Sequence, residues 1–236
     1  MKLAVMQPYF FPYLGYFDLI HSVDQWVVFD TAQYIRHGWV NRNRVLHPTN
    51  GWQYIIVPLV KHHRHVPINE IRIVERSDWR EYIERQLQHY RGRAPHFSSV
   101  MTLVDNCLNV SDRSLARLNV EIIGKVCRFL DIPLALHNLS EMDLALGPIE
   151  GPGDWALRIA EALGAREYVN PPGGKDLFDG AKFAASGIRL TIQQPIEFTY
   201  ECPGYRFEPG LSIVDVLMWN SRERIAAFLA ERRRTE

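Results

Sequence analysis

The chain has 236 residues, with 27 basic against 27 acidic side chains and therefore no formal net charge. A protein that coats extended nucleic acid draws its affinity from a lasting basic excess, and the total shows none. With 47% of residues apolar and 11% aromatic the chain can bury a core, which argues against disorder, and apolar runs such as Tyr54 to Val60 fall far short of the roughly 20 residues a bilayer span needs.

The opening Met1 to Pro8 reaches Gln7-Pro8 too early to form the apolar core of a signal peptide, so a cytoplasmic location is expected. Leu3 to Met6 reads as a first strand. Pro12 suits the first turn of a helix running to about Val23, and Gln25 to Asp30 reads as a buried parallel strand ending in a carboxylate. Arg42 to Leu46 and Trp52 to Val60 flank an Asn50-Gly51 turn and predict a hairpin, with Ile68 to Val74 as a further strand. Trp79, Tyr82, Ile83, Leu87 and Tyr90 then recur at helical spacing, and Val100 to Leu108 continues the pattern. Ser111 or Asp112 should cap a helix that carries Leu115 to Leu130. Leu134 to Leu139 reads as a strand, Asp154 as the cap of a helix ending near Gly164, and Glu167 to Asn170 as a strand. Arg189 to Gln194 and Ile196 to Tyr200 read as late strands, and Ile213 to Leu229 as one final helix before a solvated tail containing Arg232, Arg233 and Arg234.

The alternation predicts an α/β fold: a Rossmann-like parallel-sheet N-terminal layer with a helical and mixed α/β remainder. The chain reads as one domain over residues 1–236, divisible into a Rossmann-like and hairpin part (1–75) and a helical and mixed part (76–236). Cys107, Cys127 and Cys202 are odd in number and widely spaced, which predicts buried thiols rather than disulfides or a zinc knuckle.

The neutral total hides a segregation. Residues 31–69 contain no Asp or Glu, yet hold Arg36, Arg42, Arg44, Lys61, Arg64 and five histidines. The segment is +5 and the remainder, with 22 basic against 27 acidic side chains, is −5. Such a stretch can recruit a phosphate or carboxylate, or it can simply face water. Within it Asn43 and Arg44 could grip an anion. Lys61 and His63 belong to its densest run, Lys61-His62-His63-Arg64-His65, where His63 and His65 could bind zinc only with a third ligand; no metal is assigned.

The segment Met6-Gln7-Pro8-Tyr9-Phe10-Phe11-Pro12-Tyr13-Leu14-Gly15-Tyr16-Phe17-Asp18-Leu19-Ile20 resembles the start of the WbqC-like protein family. Asp30 with Gln33-Tyr34, Asn43-Arg44, Gly51 to Pro58, Tyr168 to Asp176 and Leu211 to Leu217 follow in the family's order, so the resemblance spans essentially the whole chain. It implies a bacterial cytoplasmic protein associated with O-antigen and other surface-polysaccharide biosynthesis, and a transfer of glycine or a related amino-acyl or acyl group to an amino sugar. Its substrate would be a nucleotide-sugar or nucleotide, and its donor an activated acyl or amino-acyl group. The family often has two serines before a glutamate in mid-chain, whereas Leu139-Ser140-Glu141 stands here.

A strand entering Gln7-Pro8 and then a helix would place a loop and a helix N-terminus at the carboxyl edge of a sheet, where anions bind. The order matches that of nucleotidyltransferases and adenylate-forming enzymes, without the two histidines usual in their loop. Gly15 could allow close backbone approach, while Tyr9, Phe11 and Tyr16 could stack on a base or sugar, or be core. Asp30 is the candidate general base, or a cap or ion-pair partner. Lys175, after Gly173-Gly174, is the candidate phosphate-contacting cation, with Asn170 and Asp176 nearby for orientation; the P-loop pattern itself is absent. Asp215, near Asn220 on the last helix, is a site candidate better explained as a buried anchor.

Overall fold

The computed structural model describes residues 1–75 and 78–235. Seven strands alternate with helices: β1 (Lys2–Met6), α1 (Leu14–Ser22), β2 (Gln25–Val28), β3 (Arg42–Leu46), β4 (Trp52–Ile56), α2 (Asp78–Leu87), α3 (Phe97–Leu108), α4 (Leu115–Phe129), β5 (Leu136–Asn138), α5 (Asp154–Ala162), β6 (Glu167–Asn170), α6 (Gly180–Ala185), β7 (Arg189–Ile192), α7 (Ile213–Trp219) and α8 (Arg222–Thr235). Five of the strands form a parallel sheet in the order β5-β2-β1-β6-β7. This is the expected Rossmann-like α/β architecture. Because β1 pairs with both β2 and β6, the sheet crosses the boundary near residue 75.

The neighbouring strands β1 and β2 are apolar on both faces, as helix-covered parallel strands must be. Ala4, Trp26 and Val28 face a large core shared with α1, α3, α4, α7 and the hairpin, while Leu3, Val5 and Val27 face a smaller one built with α5 and Phe183 of α6. The alternation within β1 and β2 follows the two-residue period of a strand. The β3-β4 hairpin pairs Arg44 with Tyr54 and Leu46 with Trp52, and Gly51 supplies a positive φ of 65° in its turn. Cys107, Cys127 and Cys202 are buried free thiols, each pushed up to about 12 chiefly by loss of hydration.

Several expected elements differ. The first helix starts at Leu14 rather than Pro12, because the Pro12 carbonyl accepts from Ile213 N and Tyr13 bridges Ser212 in extended conformation. Ile68 to Val74 forms a 3-10 turn, Ile68–Glu70, followed by isolated bridges from Arg72 and Ile73; the buried Ile68, Ile71 and Ile73 carried an apolar signal without a ladder. Ser114, not Ser111 or Asp112, caps α4, while Asp112 accepts from Ser114 N. Gly153 is the N-cap of α5, and the Asp154 carboxylate instead accepts from Glu150 N and Gly151 N.

Ile196 to Tyr200 forms no strand; Pro195 lacks a donor, and Phe198 and Tyr200 turn inward onto Phe228 and Asp215. The last helix is two. Asn220 is extended, its N and Nδ2 both donate to the Val216 carbonyl, and Ser221 Oγ then accepts from Arg224 N to begin α8. The arginine tail is not wholly solvated, since Arg232 Nε lies 2.8 Å from the buried Asp18 Oδ2.

A cavity at the carboxyl edge of the sheet

Strand order reverses between β1 and β6, and ligands of open α/β sheets bind outside the carboxyl ends at such a point. Three strands end there in a side-chain amide and a proline: β1 runs into Gln7-Pro8, β6 ends Asn170-Pro171, and β7 runs into Gln193-Gln194-Pro195. A cavity of about 500 Å³ opens beside the ends of β6 and β7. Its walls combine Tyr13, Leu14 and Gly15 at the start of α1, Pro172 and Gly173 after β6, Gln193, and residues 194–200 and 207–211 of the irregular segment that follows β7. Three family-resembling segments, 6–20, 168–176 and 211–217, thus meet around one space.

The loop between β1 and α1 is held carbonyl by carbonyl. Tyr16 Oη donates to Gln7 O at 2.9 Å, Asn119 Nδ2 to Pro8 O at 2.8 Å, and Asn43 Nδ2 to both Phe10 O and Phe11 O at 3.0 and 2.9 Å. Ser212 Oγ adds a second bond to Phe11 O, at 2.8 Å. Buried carbonyls need such partners, so Asn43, Asn119 and Ser212 fix the approach of α1 to the cavity. Tyr9 packs against Tyr16, Phe11 against Phe10, and Tyr16 against Trp26, with Phe11 and Tyr16 buried. Burial pushes the Tyr9 and Tyr16 phenols up. No side chain caps α1 and no acidic residue stands in its first turn.

Of the residues expected at a site, Gly15 and Gly173 line the cavity. Pro8 is buried and Gln7 is half-buried just past β1, and neither lines the cavity. Asn170 is buried, donating to Pro171 O at 2.8 Å and accepting from Tyr168 Oη at 3.1 Å, and a Cβ at Gly174 would collide with its Nδ2. Lys175 and Asp176 are exposed on the 3-10 turn Pro172–Leu177 that begins in the cavity wall. Arg44 reaches the rim, with Nη2 3.2 Å from the Gly210 carbonyl and its guanidinium 5.3 and 5.1 Å from the Trp39 and Trp52 rings.

Other expected residues lie apart. Asp30, just past β2, is 3% exposed, and its carboxylate accepts from Ser140 N at 3.0 Å and from Ser140 Oγ, which fastens the 3-10 turn Leu139–Glu141 to the end of β2. Lys61 and His63 are exposed on a loop that meets Gln33 and Tyr34, where His62 sits edge-on to Tyr34. Among the described residues no three His, Cys, Asp or Glu side chains gather as a metal site. Asp215 is fully buried and accepts from Tyr90 Oη, from Tyr200 Oη at 2.8 Å and from Leu46 N at 3.2 Å. Burial pushes its carboxyl up and both phenols higher.

The residues missed from sequence are Gln193, Glu197, Phe198, Phe207 and Glu208 in the cavity wall, and Asp18 with Arg232 behind it. Gln193 Nε2 donates to Asp18 Oδ2 at 2.7 Å, the atom that also receives Arg232 Nε. Burial pushes the Asp18 carboxyl up, and Arg232 works against that shift. The available signal was the amide-proline ending that β7 shares with β1 and β6.

A family model described as the WbqC-like protein family matches residues 7–227. The chain belongs to that family. It is also 32% identical over 226 residues to the Mycobacterium tuberculosis protein named Uncharacterized protein Rv1507c, covering 92% of each chain. No solved structure matches. Among the described residues of this WbqC-like protein, no helix is long and apolar enough to cross a membrane.

Proposed function

We propose that the protein is a transferase of bacterial surface-polysaccharide biosynthesis that moves an amino-acyl, glycine-like, or acyl group from an activated donor onto the amine of a sugar or nucleotide-sugar. The observation that carries this reading is the meeting of three family-resembling segments around the switch-point cavity. Lys175, exposed on the turn that begins in the cavity wall, is assigned to a phosphate of the donor or nucleotide, outside the cavity proper. The uncapped first turn of α1 offers backbone N–H groups on the opposite wall. Aromatic walls from Tyr13, Phe198 and Phe207 suit the faces of a sugar ring.

Incubation of the full chain with activated glycyl or acyl donors and amino sugars, followed by mass spectrometry, should give an adduct of the sugar amine. Lys175→Ala should raise the donor KM with the fold unchanged. Asp30→Asn tests Asp30 as general base, with Ser140→Ala as the control for its contact to the 139–141 turn; unchanged turnover in Asp30→Asn removes it from the mechanism.

The position of the β1-α1 loop at the switch point favours a second reading, a nucleotidyltransferase or adenylate-forming enzyme. That reading requires release of pyrophosphate from ATP or CTP, whereas direct transfer from a pre-activated donor releases none. A third outcome, no turnover with any donor, would favour a binding protein of a polysaccharide-modifying complex.

A further inference from the structure

We infer that the switch-point cavity selects a ligand carrying a free ammonium group and seats that group on the wall formed by Gln193, Glu197 and Glu208. The inference rests on reading the cavity as the reaction site, and it names the kind of reactant that enters it.

Among the described residues the charged side chains that line the cavity are Glu197 and Glu208, and no Lys, Arg or His joins them. The basic segment 31–69 contributes no lining residue, although Arg44 bonds the Gly210 carbonyl at the rim. A phosphate entering this space would therefore meet two carboxylates and no side-chain cation.

Gln193 supplies the independent observation. It is 4% exposed, and its donor edge is spent on Asp18. Reversing the amide would turn Oε1 against a carboxylate, so the Asp18-Arg232 pair dictates the orientation, as hydrogen-bond networks do for side-chain amides. Oε1 is left without a protein partner among the described residues, on a residue that lines the cavity. An amide oxygen that no protein donor reaches keeps its lone pairs for a ligand donor. An ammonium carries three donors and no acceptor, which suits one amide oxygen and two carboxylates; phosphate oxygens suit none of them.

The test uses amide NMR of the full chain titrated with D-glucosamine, N-acetyl-D-glucosamine and inorganic phosphate at neutral pH. Glucosamine should move the Gly15, Gly173 and Gln193 signals and bind roughly tenfold or more tightly than the N-acetyl sugar, the scale expected of a charge-assisted hydrogen bond. Glu208→Gln should weaken glucosamine by a similar factor without changing the melting temperature. Equal binding of the two sugars, movement of the same signals by phosphate, or no response to glucosamine overturns the ammonium preference. The wider reading fails on a different measurement: a Gly173→Leu variant that stays folded and retains full transfer activity would show that the reaction takes place elsewhere.

Discussion

Asn43 donates through Nδ2 to the carbonyl of Phe11 at 2.9 Å, and Phe11 is a non-glycine residue held in the left-handed region at φ +40°. A bulky residue adopts that backbone only where its surroundings impose it. Here the imposing groups are Asn43 and Ser212, brought from β3 and the start of α7 to the same carbonyl. Replacing Asn43 with Ala leaves the Phe10 carbonyl without that donor and should lower stability by about 2 kcal/mol. Asn43→Asp should cost more, since a carboxylate would face two carbonyl oxygens. Urea unfolding measures both, and a fully stable Asn43→Asp variant would show that the loop does not depend on this clamp.

Asp215 presents a different kind of anchor, one carboxylate receiving two phenols and a backbone N–H in a buried site. Asp215→Ala strands both phenol donors, leaves Leu46 N only the Tyr90 hydroxyl at 3.0 Å, and should destabilise by about 3 kcal/mol or more. Asp215→Asn keeps the shape but turns one acceptor into a donor facing a hydroxyl, so it should recover only part of the loss. Chemical denaturation of the pair, with Tyr90→Phe as a control that removes one donor, separates lost bonds from lost packing.

Adjacent glycines after β6 should behave oppositely. A Cβ at Gly174 would strike the Asn170 amide, which is bonded to Pro171 O, so Gly174→Ala should lower the melting temperature. A Cβ at Gly173 meets nothing within 4 Å but projects from a residue of the cavity wall. Gly173→Ala should therefore melt like the unmodified protein while weakening ligand binding. Equal melting temperatures for the two variants would contradict the packing described.

The Asp154 carboxyl is held below the usual carboxylate range, first by the Lys182 ammonium at 2.9 Å and then by the Glu150 backbone N–H. Because its folded-state value is depressed, the stabilisation is present above the ordinary Asp range, about pH 3.9, and is lost as pH falls through the folded value. The melting-temperature difference between the unmodified protein and Asp154→Asn should be steady at neutral pH and shrink below about pH 4. A difference that grows on acidification would reverse the assignment.

Much of the fold was legible in particular residues. Leu3 to Met6 and Trp26 to Val28 are continuously apolar because both their faces are covered, Glu167 to Asn170 keeps an apolar Tyr168-Val169 centre, and the Asn50-Gly51 turn announced the hairpin. The errors share a cause: apolar residues can be buried by irregular backbone. Ile71 and Ile73 are core without a ladder, and Phe198 and Tyr200 point inward from a segment that Pro195 has already removed from the sheet. The break at Asn220 was hidden because Asn is tolerated within helices, and only its competition for the Val216 carbonyl shows why the helix stops.

The candidate site was legible only where backbone geometry demands a glycine or a proline. Gly15 and Gly173 could be found that way. Gln193, Glu197 and Glu208 occupy an aperiodic stretch, and the significance of Gln193 depends on Asp18 and Arg232, which are far apart in sequence. Charge density misled in the opposite direction. The basic segment is real, but Arg42 lies over Tyr54 and Arg44 beside two indoles on the hairpin, so much of its charge is engaged with aromatic rings outside the cavity.

The central strand β1 is synthesised well before its neighbour β6 and before the Arg232 partner of Asp18. Long-range pairing of this kind delays folding and leaves apolar strand surface uncovered in the nascent chain. The cavity is therefore a late product of synthesis: its walls reach to Val216, and the Arg232 contact behind Gln193 forms only when α8 has docked. A nascent chain halted before β6 would present an open edge of β1 to chaperones, and one halted before α8 would hold Asp18 without its arginine.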